Sequence, residues 1–317
     1  MRTRTAYILC LGSFIFGCTI TLNLLILDGR AFRTEKSRST STFVPDTEQH
    51  LLIILIMSSP KNVLRRETIR KTWISLLDQK HKYYFVIGTK DLDSNTIDLV
   101  THENDSYNDL LFLYDIFDSY GKLTEKVLES FKSISTSNFQ FVFKLDDDSY
   151  VDIVRFETEL TSMSQMSSLY WGFFRGDAKV KTEGKWKEMS WNICDTYLPY
   201  ALGGGYVLSK DLVMFLTSNS AHLRKFRSED VTIGASLAMV ETYRKHDPRF
   251  NTEHLSRGCS NSYLVIHKQT TKDMNELHRN LQIHGKLCVV EKIIRPSFIY
   301  NWDVLPSKCC IRNNETI

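Results

Sequence analysis

Apolar positions along this 317-residue chain fall into one long block near the start and a series of short runs after it. Residues 6–27 are nearly continuous apolar sequence, long enough to span a bilayer as a helix, although Thr19, Thr21 and Asn23 weaken it. No clear small-residue cleavage context follows, so the block reads as a retained signal anchor behind a five-residue tail, 1–5. Residues 28–49 are rich in Ser, Thr and Arg and lack apolar periodicity, which predicts a flexible stem. From residue 50 the runs take strand and helix lengths, and one large domain, 50–317, is expected.

Within that domain, residues 51–57 are apolar at every position and end at Ser58-Ser59-Pro60, the pattern of a strand covered on both faces. Ile69, Trp73 and Leu76 or Leu77 then recur at helical spacing. Residues 83–87 predict a second buried strand ending at Gly88, and a long helical pattern is expected over about 107–133, interrupted near Tyr120-Gly121. Phe139, Phe141 and Phe143 alternate as a strand requires. Strand, helix, strand, helix, strand in this order predicts an α/β fold with a doubly wound, mostly parallel sheet. The second half is richer in Gly and Trp, with strand-like pieces at 170–174, 186–191 and 197–208, a helix near 211–218, and an acidic pair, Glu229-Asp230, opening an apolar helix. The first half looks built for a nucleotide and the second for an acceptor.

The 42% apolar content supports a substantial core, and a formal net charge of +3 carries no polyanion signature, so no nucleic acid partner is expected. Arg2 and Arg4 precede the anchor while Arg30, Arg33, Lys36 and Arg38 follow it, so the positive-inside rule does not orient it. Sequons at Asn104 and Asn314, together with five cysteines after the anchor, favour a secretory lumen for the domain. Cys194, Cys259, Cys288, Cys309 and Cys310 permit two disulfides and one free thiol, with adjacent Cys309 and Cys310 expected to have different partners.

The Phe139 run ends in three consecutive carboxylates, Asp146, Asp147 and Asp148, where a buried strand leaves the sheet and α/β proteins bind ligands. Three like charges at one point call for a compensating cation such as Mg²⁺ or Mn²⁺ bridging to a phosphate. The alternative is an acidic turn in which Asp148 or Ser149 caps a following helix.

The chain resembles the inverting β-1,3-glycosyltransferases of the β-1,3-galactosyltransferase type. The resemblance rests on Arg65-Arg66-Glu67-Thr68-Ile69-Arg70-Lys71-Thr72-Trp73, the segment from Asp115 through Asp118 and Tyr120 to Thr124, and Lys144-Leu145-Asp146-Asp147-Asp148. Gly203-Gly204-Gly205-Tyr206 and Glu229-Asp230-Val231 complete it in order, so it covers nearly all of the chain after the stem. It implies a GT-A glycosyltransferase fold, Mn²⁺ as cofactor with Mg²⁺ as the alternative, and UDP-galactose as donor substrate. It also implies a Golgi membrane enzyme of type II topology. The implied acceptor is a terminal β-galactose, that of galactosyl-xylose in the glycosaminoglycan linkage region of a proteoglycan core protein, with other linker-region transferases as associates. Two rivals stand beside it: β-1,3-N-acetylglucosaminyl transfer with the same metal and base, and a catalytically inactive carbohydrate-binding homologue.

By the family pattern Asp148 touches the metal, and His267, ending the apolar run 263–266, is its histidine ligand; for an unaided histidine the alternative is a structural role. Asp146 and Asp147 are placed toward the nucleotide sugar. Asp230 is the candidate general base, because a carboxylate opening a helix is held ionised by the dipole; the alternative is an ordinary cap. Arg66 and Arg70 are assigned to the diphosphate or uracil edge, against surface pairing with Glu67, and Lys144 is placed with the donor in the same way. Gly203, Gly204 and Gly205 would let the backbone approach a sugar. Trp171, Phe173, Phe174 and Tyr206 either stack on sugars or fill the core.

Overall fold

The computed structural model describes residues 48–312. The anchor 6–27, nearly all of the stem and the Asn314 sequon lie outside the described residues, among which no helix is long and apolar enough to cross a membrane.

In chain order the elements are β1 (His50–Met57), α1 (Val63–Lys71), β2 (Lys82–Gly88), α2 (Ser94–Tyr107), β3 (Leu110–Leu113), α3 (Leu123–Ile134) and β4 (Phe139–Asp146). There follow β5 (Tyr150–Val151), α4 (Ile153–Ser162), β6 (Leu169–Arg175), β7 (Tyr200–Ser209), α5 (Lys210–Ser218) and α6 (Glu229–Ser236). The chain continues with β8 (Tyr243–His246), β9 (Phe250–Asn251), β10 (Gly258–Cys259), β11 (Val265–Ile266), α7 (Thr271–His284) and β12 (Lys292–Ile293). The main sheet runs in the order β3-β2-β1-β4-β7-β6-β8. β1, β2, β3 and β4 are parallel, whereas β7 is antiparallel to both its neighbours, giving a mixed α/β domain with a mostly parallel central sheet.

This order positions the site. β1 sends its connection to β2 on one side while β4 lies on the other, so the strand order reverses between β1 and β4 and a crevice opens at their carboxyl ends. Met57 pairs with Asp146, which brings Ser58 and the acidic triplet to the same sheet edge. A small sheet of β5, β11 and β9 lies beside it; Ile266 pairs with Tyr150, and the Gln269 amide donates to the Asp148 carbonyl at 2.8 Å. That clamp fixes His267 against the triplet.

Two expectations about the elements are corrected. The helix expected over 107–133 is two different things: Leu110–Leu113 is a buried edge strand and helix begins only at Leu123, while α2 occupies 94–107. A short apolar run does not distinguish strand from helix by periodicity, and α2 buries only Val100 and Glu103, so its apolar stripe is nearly absent. Its ends are nonetheless marked, by the Asp93 side chain accepting from the Thr96 amide and by left-handed Asn108. Residues 186–191 form no strand; the bridge between Lys179 and Thr196 closes an irregular loop there.

The cysteines pair as Cys259–Cys288 and Cys309–Cys310, with Cys194 free and exposed. The count of two bridges and one thiol matches expectation, but the adjacent cysteines bond each other. Cys288 occupies Cys259 and Cys194 sits on a distant exposed loop, so the two neighbouring sulfurs close on themselves.

Trp171, Phe173, Phe174 and Tyr206 are fully buried and fill the core. Phe156 stacks on Phe143 at 4.4 Å and on Trp171 at 5.2 Å, and the Trp171 indole N–H donates to Asp247. Their expected stacking on sugars is thereby ruled out for these four rings.

Candidate active site

A cleft of about 750 Å³ opens at the carboxyl ends of β1 and β4, with Ser58, Arg65, Asp148, Gly203, Asp230 and His267 on its walls. Both halves of the chain therefore build one site.

The three aspartates have three different environments. Asp147 is buried and its carboxylate is consumed by the protein, accepting from Ser58, Asn62 and Arg65 at 2.7–2.8 Å. It props the loop after β1 and lines the cleft with a carboxylate already engaged by these three partners. Asp146 and Asp148 remain partly exposed and converge on His267, whose Nε2 lies 2.9 Å from Asp148 Oδ1 and 3.6 Å from Asp146 Oδ2. Burial disfavours the imidazolium, but the two carboxylates outweigh it and raise His267 to about 9. Asp146 is held well below the ordinary carboxylate range: burial opposes ionisation, and the Lys144 ammonium and His267 overcome it.

Gly204 explains how the imidazole comes so close. A Cβ there would lie 2.6 Å from His267 Cγ and Nδ1, so the ring packs directly on the backbone of β7. His267 Nδ1 is buried without a hydrogen-bond partner, and the ligand atoms of Asp146, Asp148 and His267 all lie within 4.8 Å of one another. Two hard carboxylate oxygens plus one imidazole nitrogen are a donor set that fits Mn²⁺.

In the same strand, Gly203 donates its amide to Asp230 Oδ2 at 3.0 Å, and Asp230 Oδ1 accepts from the Val231 amide. Burial raises the Asp230 pKa, opposed by the Gly203 hydrogen bond and by Lys144, so this carboxylate is a stronger base than a free one. Its neighbour Glu229 is buried, bonded to the Tyr206 hydroxyl and paired with Lys144 at 3.1 Å. Burial pushes Glu229 up to about 7 against the pull of Lys144, with Asp230 adding to the rise.

Arg66 and Arg70 are not brought to the cleft. Arg66 is fully buried, bidentate on Glu103 at 2.6–2.8 Å, and also donates to Ser58 and the Ser59 carbonyl. Arg70 binds Glu103 and Asp109 at 2.7–2.8 Å and lies over the Tyr107 ring at 4.0 Å. Their partner is Glu103, not the Glu67 that helical spacing offered, because α2 packs its single buried carboxylate against α1. Arg65, one residue earlier, does line the cleft, as does Arg175. Lys126 was also missed: its buried ammonium binds Asp118 at 2.8 Å and the Ser58 carbonyl, tying α3 to the β1 turn. Its sequence signal was faint, a lysine in an otherwise ordinary amphipathic helix.

The family model described as Galactosyltransferase matches residues 64–248. The chain is 40% identical to Beta-1,3-galactosyltransferase 6 of Mus musculus over 98% of its own length and 96% of that protein. It is 28% identical to UDP-GalNAc:beta-1,3-N-acetylgalactosaminyltransferase 2 of Xenopus tropicalis, over 61% of this chain and 39% of that one. Among solved structures, the mannosyltransferase PcManGT from Pyrobaculum calidifontis in complex with GDP-Man and Mn²⁺ aligns with a TM-score of 0.38 and 11% identity, over 65% of this chain and 57% of that one.

Proposed function

The chain belongs to the β-1,3-galactosyltransferase family, and from that premise we propose that it is an inverting enzyme of the GT-A fold carrying galactose from UDP-galactose to the 3-hydroxyl of a terminal β-galactoside. The acceptor we propose is galactosyl-xylose of the proteoglycan linkage region, in keeping with the relative matched along its whole length. The observation that carries the reading is the meeting of Asp148, His267 and Asp230 in the lining of one cleft.

Asp148 and His267, with Asp146 beside them, are the residues that would hold a manganese ion, which when bound supplies positive charge to the departing diphosphate. Asp230 takes the proton from the acceptor hydroxyl as its oxygen bonds to the anomeric carbon. The bond from that carbon to the UDP oxygen breaks on the opposite face, so an α-linked donor gives a β-linked product. The Gly203 amide holds Asp230 in place throughout. Arg65, with one nitrogen on Asp147 and a side chain 37% exposed, is placed to meet donor phosphate with its remaining donors.

We further place the domain in the Golgi lumen behind the anchor 6–27; the two disulfides support an oxidising compartment. Transfer assays with UDP-galactose, UDP-N-acetylglucosamine and UDP-N-acetylgalactosamine, against galactosyl-xyloside and other β-galactosides with and without Mn²⁺, test the reading. Mn²⁺-dependent transfer from UDP-galactose supports it, a different preferred donor replaces the substrate, and sugar binding without transfer refutes catalysis.

A further inference from the structure

Lys144 is expected from sequence to face the donor, yet its ammonium is fully buried and has no N–H to spare. An ammonium carries three donors. Three acceptors surround this one: Gly203 O at 2.7 Å, Asp146 Oδ1 at 2.9 Å and Glu229 Oε2 at 3.1 Å. Each belongs to a different piece of the site, namely the end of β4, the middle of β7 and the start of α6. The antiparallel pairing of Lys144 with Tyr206 aims the side chain along the sheet toward Gly203, and the Tyr206 hydroxyl closes the arrangement by binding Glu229.

The peptide at Gly203 is where the threads meet. Its residue's carbonyl is held by Lys144 while its amide holds Asp230. A Cβ built on Gly203 would lie 3.3 Å from Asp230 Oδ2 and 3.4 Å from Glu229 Oε2, so both carboxylates crowd the same backbone. Lys144 lies in direct contact with Glu229, and without it two adjacent acidic side chains would face each other across Gly203.

We propose that Lys144 is a positioning residue for the base: it fixes the Gly203 backbone and the Glu229 carboxylate so that Asp230 is held toward the acceptor, and it makes no contact with the donor. The proposal rests on Asp230 being the base, and Glu229 is the second half of the same device.

The test compares the full-length enzyme with Lys144→Met, Glu229→Gln and the double variant, reading kcat at saturating donor and Mn²⁺, and UDP affinity by calorimetry. Expected are a kcat lower by about 30-fold or more in Lys144→Met and about 10-fold or more in Glu229→Gln, with UDP affinity within about threefold in both. The double variant should be no slower than about the worse single one, because the two residues act through one arrangement. A tenfold loss of UDP affinity in Lys144→Met with kcat retained returns the residue to the donor and overturns the proposal. Multiplying losses in the double variant separate the two residues and overturn it as well. Should Lys144→Met not fold, Glu229→Gln keeps the side-chain shape and decides alone: near-normal turnover there defeats the idea. If the wild-type enzyme prefers a sugar other than galactose, the substrate reading fails while the same comparison is made with that sugar.

Discussion

Two clusters of charge, one between α1 and α2 and one at the end of β4, are built on opposite principles. Around Glu103 and Asp109, Arg66 and Arg70 pair bidentately, every carboxylate oxygen has a guanidinium partner, and the face of Tyr107 covers Arg70. Burial opposes the ionised Glu103, and the two arginines outweigh it and lower its pKa. Around His267 one imidazole nitrogen is shared between Asp146 and Asp148, His267 Nδ1 is left without a hydrogen bond, and the ensemble opens on the cleft. A buried cluster in which every carboxylate oxygen is paired, with only Arg70 Nη1 left over, holds a fold together, whereas one that opens on a cleft is poised to take a ligand.

The contrast predicts different failures on each side. The largest effect belongs to the open cluster: Asp230→Asn should lower turnover by about two to four orders of magnitude with UDP binding retained. Near-normal transfer by that variant in a steady-state assay would remove Asp230 from the role. On the closed side, Arg66→Ala leaves Glu103 buried with one partner fewer and should destabilise the domain by about 3–5 kcal/mol in chemical denaturation. Donor KM in the surviving folded fraction should not move; a donor KM that rises with stability intact would place Arg66 in the site after all.

Gly204→Ala probes the seam between the β7 backbone and His267, the proposed metal ligand. The new Cβ displaces the His267 ring, and half-saturating Mn²⁺ should rise about 10- to 100-fold with the melting temperature little changed. Unchanged metal dependence would show that His267 does not need its present seat.

The smallest expected effect comes from a second histidine built like the closed cluster. His246 accepts the Phe174 amide on Nδ1 and faces the Phe298 carbonyl with Nε2, so both nitrogens of the neutral ring are used. Burial lowers its pKa to about 4, from 6.5 in an unfolded chain. Between those values the unfolded state binds more protons, so stability falls as pH drops below 6.5. Its contribution from pH 7.5 to 5.5 is a loss of about 1 kcal/mol, and the slope flattens below pH 4. Urea titrations of wild type and His246→Gln at both pH values should show this difference, and equal pH dependence would reject it.

Long, doubly apolar runs were legible because burial on both faces leaves one solution for 51–57, 83–87 and 139–146, a set of central strands. The acidic triplet at the end of 139–146, His267 after its short apolar run and Asp230 at a helix start were legible for the same reason: each is tied to the end of a recognisable element. β3 was not, because four apolar residues fit either a strand or a helical stripe until a neighbouring strand is there to pair with. Nor was the separation of Arg65 from Arg66, since adjacent helix residues point about 100° apart and only packing shows which side faces the cleft.

The central strands, and the residue types that would hold a dication and move a proton in the proposed reaction, were legible in local pattern, because periodicity and chemical identity are properties of short stretches. Which charges face a ligand was settled by the tertiary structure alone. Arg66 and Lys144 carry the same charge as residues that bind phosphates, but Glu103 and the Gly203–Glu229 pair reach them from more than thirty residues away and take up their hydrogen bonds. Such long-range partners leave no trace in local sequence, so the division between structural and reactive charge was decided only when the chain closed on itself.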